Sequence, residues 1–281
     1  MREVLVIANR TLGGEKLLET VRARAAEAET AFRLVVPQTK PAAGLVIYDE
    51  AVRESAQVRV DLAMSLLASE GIKASGEVGD PDPFMAAMDA IAARRPEEVI
   101  VSTHPVTQSG WLRRDLIERI ERASGLPVEH IVVDLEHEGL PFAVTLVVAN
   151  KTSSGEELIS RLTAKASDGE RQLFIAVVPQ QDRSGAAARA ARLRLAAMLE
   201  RLDSVGLLSA GMIGDPDPYT AVMNALELFN VDDIVISTLP GERSGWMRGD
   251  LIGRVRGAAQ VDVEHVVVDT PQSNATAGAA S

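Results

Sequence analysis

Apolar residues along this chain fall in short runs separated by longer stretches with amphipathic helical spacing. In the first half, residues 4–8, 32–37, 72–78, 99–102 and 128–134 read as strands, and residues 14–28, 52–70, 82–94 and 109–123 read as helices. Strands written as nearly unbroken apolar runs are those buried on both faces. Alternation with helices predicts βαβ units: a parallel sheet, right-handed crossovers and helices on both sides. The expected architecture is an α/β fold with a five-stranded parallel sheet in the order 3-2-1-4-5.

The pattern is written twice. Residues 79–134 and 214–269 match at 26 of 56 positions with a constant offset of 135. Gly79-Asp80-Pro81-Asp82-Pro83 returns as Gly214-Asp215-Pro216-Asp217-Pro218, Ser109-Gly110-Trp111 as Ser244-Gly245-Trp246, and Val128-Glu129-His130 as Val263-Glu264-His265. Upstream, Val6-Ile7-Ala8-Asn9 corresponds to Val147-Val148-Ala149-Asn150, and the offset rises to 142 by Val35-Val36-Pro37-Gln38 and Val177-Val178-Pro179-Gln180. The first copy therefore holds about seven extra residues around Gly44–Tyr48, either a lid or contact loop or a tolerated surface excursion. The division that follows is a first repeat at 1–134, a linker at 135–141, a second repeat at 142–269 and a small-residue tail at 270–281. A seven-residue linker spans at most about 25 Å, which sets the two units side by side.

Composition narrows the chemistry. A net charge of −11 repels phosphate backbones at long range, so duplex nucleic acid is not an expected partner. With no cysteine, disulfides, thiolate metal sites and cysteine nucleophiles are excluded together. No run is long enough for a membrane span or a signal peptide, and a cytoplasmic protein is the expectation. No metal site, P-loop, Gly-x-Gly-x-x-Gly motif or nucleophile context is visible, and the expected class is non-catalytic.

In a doubly wound sheet a ligand sits beyond the carboxyl ends of the strands where the order reverses. That point falls between Asn9 and Ser102-Thr103 in the first unit, and between Asn150 and Ser237-Thr238 in the second. Ser109-Gly110 and Ser244-Gly245 open the last helix with free N–H groups beside Arg113 and Arg248. They fit either anion binding or an ordinary N-cap and turn. Asp82-Pro83 and Asp217-Pro218 read as helix starts, with Gly79 and Gly214 allowing close approach of a ligand to the backbone. Trp111, Asp115 and Arg119 recur as Trp246, Asp250 and Arg254 at spacings of four, an expected stripe in which aspartate and arginine pair under the tryptophan, for packing or for contact between units. His130 and His265 each begin the fifth strand beside a glutamate, where a structural role is expected.

The duplicated β-α-β-α-β-α-β-α-β unit, with its Gly-x-Pro after the third strand and its serine-glycine entry to the last helix, resembles the universal stress protein family in tandem form over almost the whole chain. The resemblance implies two adenine-nucleotide-alpha-hydrolase-like (Rossmann-like) units, ATP or AMP as a ligand, and pairing through the fifth strands. It carries over Asn9, Asn150, Val36, Val178 and the residues after the fourth strand as the candidate pocket. Nucleotide-binding members have an aspartate where Asn9 and Asn150 stand. Their first glycine pair falls on Ser102 and Pro105, and on Ser237 and Pro240, while the later Gly-[Ser/Thr] has no counterpart in Asp115-Leu116-Ile117.

Two functions follow as expectations. One is a stress or regulatory protein holding an adenine nucleotide or small anion in each crevice. The alternative is a nucleotide-independent scaffold with degenerate pockets, acting on a protein partner or as a homo-oligomer. An intrachain pseudo-dimer through the fifth strands accompanies either.

Overall fold

The computed structural model describes residues 2–38, 49–105, 115–169, 171–240, 246 and 249–269. The first unit runs β1 (Arg2–Ile7), α1 (Glu15–Glu27), β2 (Thr30–Pro37), α2 (Asp49–Ser69), β3 (Ala74–Gly79), α3 (Pro83–Ala93), β4 (Glu98–Thr103), α4 (Leu116–Ser124) and β5 (Val128–Val132). The second runs β6 (Ala143–Val148), α6 (Glu156–Ala166), β7 (Gln172–Pro179), α7 (Gly185–Ser204), β8 (Leu208–Gly214), α8 (Pro218–Leu228), β9 (Asp233–Thr238), α9 (Leu251–Ala258) and β10 (Asp262–Val267), after a one-turn helix, α5 (Leu135–Glu138). Both sheets are parallel throughout, in the orders β3-β2-β1-β4-β5 and β8-β7-β6-β9-β10. The fold is therefore two Rossmann-like units in tandem. The insertion at 39–48, Trp111 and the tail at 270–281 lie outside the described residues.

Local chemistry explains the elements. The Asp82 side chain accepts hydrogen bonds from the Phe84 and Met85 amides, Asp217 accepts from Thr220, and a proline follows each at the first helical position. These are the orphan donors a helix start leaves unsatisfied. Helix α4 closes on Gly125, whose φ of 65° is the left-handed cap that suits glycine. At the amino ends of the central strands, Arg24 pairs with Glu98 at 3.2 Å, and the corresponding Lys165 pairs with Asp233 at 3.0 Å.

Alternate residues of each strand feed opposite cores. Leu5, Ile7 and Val35 pack under α3 and α4, and Val147, Phe174 and Ala176 pack under α6 and α7. The remaining faces merge into one core. Val4, Val6 and Leu34 of the first sheet share it with Leu146, Leu173 and Ile175 of the second, and with side chains of α1, α2, α8 and α9. Helix α2 makes the join, packing on β2 and β3 of its own sheet and on β8 of the other. It buries Val52, Ala56 and Val60 as well as Val58, Leu62 and Leu66, which leaves a narrow wet strip at Arg53, Gln57 and Asp61. An all-round apolar helix is a buried helix. The α1/α2 face of one unit thus meets the α8/α9 face of the other, a heterologous contact between related units.

That arrangement corrects the expected pseudo-dimer. Among the described residues strand β5 pairs only with β4 and β10 only with β9, and Val132 and Val267 are exposed. Joining along strand edges would have left the second apolar face of α2 in water, whereas packing it between the sheets buries whole side chains. The linker also departs from an extended tether. Its first residues wind into α5, which Gly139 ends at φ 67° and an ion pair between Lys16 and Glu138 ties to α1.

Charged contacts fasten the join at the end of α2. Glu70 accepts two hydrogen bonds from Arg22 at 2.9 Å and one from Arg171 of the second unit at 2.7 Å. The hydrogen-bonded Arg22 guanidinium, followed by Arg171, holds the Glu70 carboxyl at about 2, below its usual 4.5. A carboxylate so depressed adds stability that is full above its unfolded value and is lost as the pH falls toward 2. Glu70→Gln is accordingly expected to cost about 2 kcal/mol at pH 7, allowing for solvent at this partly exposed site. Urea melts of both proteins from pH 7 to pH 2.5 check this: the gap between them should be constant above pH 5 and close on acidification. A gap that does not depend on pH would assign the loss to packing.

Candidate functional site

The carboxyl ends of β1 and β4 meet at the reversal of strand order, as β6 and β9 do in the second unit. Beyond β1 the chain turns through Asn9, which is 7 % exposed and donates its Nδ2 to the Pro37 carbonyl at 2.8 Å. Asn150 makes the same bond to Pro179 at 3.1 Å. Both prolines end a second strand, so each asparagine ties the loop after the first strand to the neighbouring strand end. The other amide oxygen, Oδ1, is buried without a hydrogen-bond partner among the described residues at Asn9 and at Asn150. A buried acceptor left unmatched in both copies is a cost that native interiors usually avoid.

The neighbouring hydroxyls are mostly committed. Ser102 Oγ donates to Thr11 Oγ1 at 2.9 Å, and Thr11 Oγ1 donates to the Ser102 carbonyl at 3.2 Å. In the second unit Thr152 Oγ1 reaches the Ser237 carbonyl at 3.1 Å, and Ser237 Oγ is buried with no partner among the described residues. Thr103 donates to the His104 carbonyl and lies 2.9 Å from His130 Nε2, and Thr238 repeats both contacts with Leu239 and His265. Burial pushes both imidazoles below the ordinary histidine range, with Arg256 adding to the effect at His265, which keeps each ring neutral as a partner for its threonine. The structural role expected for these histidines is the one observed.

The remaining candidates separate clearly. Val36 and Val178 are fully buried, so their side chains belong to the core rather than to an open crevice wall. Gly79 and Gly214 are small because a helix packs on them. A Cβ on Gly79 would lie 2.8 Å from that of Ala86, and one on Gly214 would lie 2.7 Å from that of Ala221. Close strand–helix approach is sufficient to require glycine at both positions. Ser109, Gly110, Arg113, Ser244, Gly245 and Arg248 lie outside the described residues.

The aspartate–arginine pairing is also corrected. Asp115 and Asp250 sit at the helix N-caps with φ of 49° and 46°, so the turn before each helix breaks the spacing of four. The arginines stack instead on aromatic rings of the preceding helix, Arg119 over Phe84 and Arg254 over Tyr219, each at 4.2 Å. Trp246 packs against the shared core. Among the described residues no group of histidine, aspartate and glutamate is arranged to hold a metal ion, and no helix is long and apolar enough to cross a membrane.

One feature had no sequence-level warning. Between the units lies a cavity of about 80 Å³, walled by Leu62, Leu66, Phe142, Ile175 and Phe229, with Asn9 at its border. Arg59 of α2 enters it and donates to the Leu228 carbonyl at the end of α8, with its guanidinium 5.2 Å from the centre of the Phe229 ring. The sole signal in the sequence was an arginine inside the apolar run Val58-Arg59-Val60-Asp61-Leu62, a pattern that equally describes an exposed position.

No protein-family model matches the chain, and no curated protein matches it. Solved structures similar to it include a universal stress protein from Archaeoglobus fulgidus DSM 4304, 17% identical over 94% of this chain and 96% of that one, with a TM-score of 0.34. A functionally unknown protein from Pseudomonas aeruginosa PAO1 is 16% identical over 96% and 93%, with a TM-score of 0.32. Histidinol dehydrogenase from Elizabethkingia anophelis is 13% identical over 95% of this chain and 53% of that one, with a TM-score of 0.28. At these values none of the three lends a residue assignment to this chain.

Proposed function

We propose that this chain is a tandem universal-stress-type protein with a stress or regulatory role, and that it takes a small hydrogen-bonding ligand, an adenine nucleotide or a phosphate-bearing anion, at the crevice after the first strand of each unit. The observation that carries the reading is the pair of buried, unmatched Oδ1 atoms of Asn9 and Asn150 at the point where the strand order reverses. A ribose hydroxyl or an adenine amino group supplies the donor that each lacks. The reading assigns no reaction to the site, where Ser102, Thr103 and Thr238 and both imidazoles are engaged by neighbouring side chains.

Calorimetric titration of ATP, AMP and inorganic phosphate into the purified chain tests it. The expected result is micromolar binding of an adenine nucleotide, weakened about tenfold in the double variant Asn9→Leu/Asn150→Leu, as fits the loss of about 1.4 kcal/mol per site. Absence of heat for all three ligands, with no nucleotide released on denaturation, rules the reading out. The second reading, a nucleotide-independent scaffold, is favoured by the full burial of Val36 and Val178 and by the committed threonines. It becomes the better one in that event.

A further inference from the structure

The geometry points to the cavity between the two units as a binding site for a short aliphatic carboxylate, held at its charged end by Arg59 and along its tail by Leu62, Leu66 and Phe142. The inference does not depend on nucleotide binding at the strand crevices. It starts from a charge without a counter-charge. No carboxylate lies within ion-pair distance of Arg59 among the described residues. A guanidinium has five N–H donors, and among the described residues only the Leu228 carbonyl and Ser55 Oγ accept from it. Burial, together with the nearby Arg10, pushes this arginine down to about 9, well under its ordinary value. A second cation beside the first makes the site more electropositive still. Arg10 is exposed and reaches Asn230, also exposed, so the polar rim lies at the solvent side and the apolar wall lies inside.

Those properties select the ligand. A desolvated arginine favours a planar anion that it can grip with two parallel hydrogen bonds. The wall, in which Leu66 and Ile175 are each 2 % exposed and Phe142 is 8 % exposed, favours a hydrocarbon tail. Size sets the length: an apolar cavity of about 150 Å³ takes benzene, so this space of about 80 Å³ takes a tail of about three carbons. The bond from Arg59 to the last carbonyl of α8 fixes the guanidinium before a ligand arrives, which lowers the ordering cost of binding.

Butyrate is the probe, titrated into the full chain by calorimetry with acetate and n-butylamine alongside. One saturable site per chain is expected, with acetate at least tenfold weaker for want of the tail and n-butylamine silent because its ammonium carries the same sign of charge as Arg59. Arg59→Met should weaken butyrate at least tenfold while thermal melting is unchanged or raised, because a partly buried charge without a counter-charge is removed. Ala63→Leu fills the cavity with Arg59 intact and should abolish binding, which keeps the test decisive if Arg59→Met does not fold. The inference is overturned if butyrate shows no saturation by about 10 mM, a weak limit for six non-hydrogen atoms. It is equally overturned if Ala63→Leu, or a folded Arg59→Met, binds butyrate as the unaltered chain does.

Discussion

Val58→Asp is expected to destabilise the whole protein by more than about 3 kcal/mol, while Leu193→Asp changes stability by less than about 0.5 kcal/mol. The two residues occupy the same place in the duplicated unit, Val58 on α2 and Leu193 on α7, at the offset of 135. Their surroundings are opposite. Val58 is 1 % exposed in the core that both units share, and Leu193 is 73 % exposed. An aspartate at 58 must either ionise in an apolar interior or be buried protonated, and both cost more than a lost contact. Because α2 packs on strands of both sheets, the loss should appear as one cooperative transition at a lower urea midpoint, with Trp246 fluorescence in the second unit, read in a Trp111→Phe background, following the same curve as circular dichroism. A second unit that still unfolds at its original midpoint in Val58→Asp would show that the units are stable independently and that α2 is not a shared element.

This contrast marks the border of what the sequence made legible. Apolar runs broken by amphipathic stretches, with the 135-residue repeat, are enough for ten strands in parallel sheets, since these follow from local periodicity and right-handed crossovers, whereas the order 3-2-1-4-5 and with it the switch point rest on the choice of one doubly wound order, which is the order observed. Asn9 and Asn150 were found because strand ends at a reversal of order are fixed by topology. The join between the units was not legible. Both α2 and α7 carry apolar residues on several faces, and which helix is covered twice depends on side chains a hundred residues away. Only side by side do the differences gain meaning: Leu62 and Leu66 of α2 correspond to Ala197 and Arg201 of α7, so the helix that faces water has exchanged large apolar groups for small and charged ones. Arg59 is illegible in the sequence for the same reason. Its counterpart Arg194 sits in an equally apolar run, and no local signal separates an arginine in a cavity from one along a helix flank. The aspartate–arginine stripe failed on backbone geometry, since a left-handed residue at Asp115 and at Asp250 interrupts the periodicity that had seemed to align them.

Gly155→Ala should lower stability by about 2 kcal/mol, although alanine is a permitted residue for its backbone, at φ −69° and ψ 137°. The cause is space. A Cβ at Gly155 would lie 2.2 Å from Val268 Cγ1, and one at Gly14 would lie 2.2 Å from Val133 Cγ1, the same contact in both copies. Each glycine occupies the N-cap of the first helix of its unit, where serine or aspartate is normally preferred, and each valine follows the fifth strand, fully buried. The helix start is pressed against the strand end so closely that the capping side chain has been given up. If so, Gly155→Ala combined with Val268→Ala should be more stable than the sum of the two single losses by about 1 kcal/mol or more, because the second change removes the methyl groups the first collides with. The same contact sets the loop from Asn150 to Gly155, whose Asn150 is bonded to Pro179 at 3.1 Å. Under the proposed function, nucleotide affinity at the second crevice is expected to weaken in Gly155→Ala and return in the double variant, a recovery that a general loss of stability does not produce. Urea melts of the four proteins close the cycle. A Gly155→Ala chain that melts like the unaltered one means that Val268 turns aside freely and that the close contact does not position the crevice.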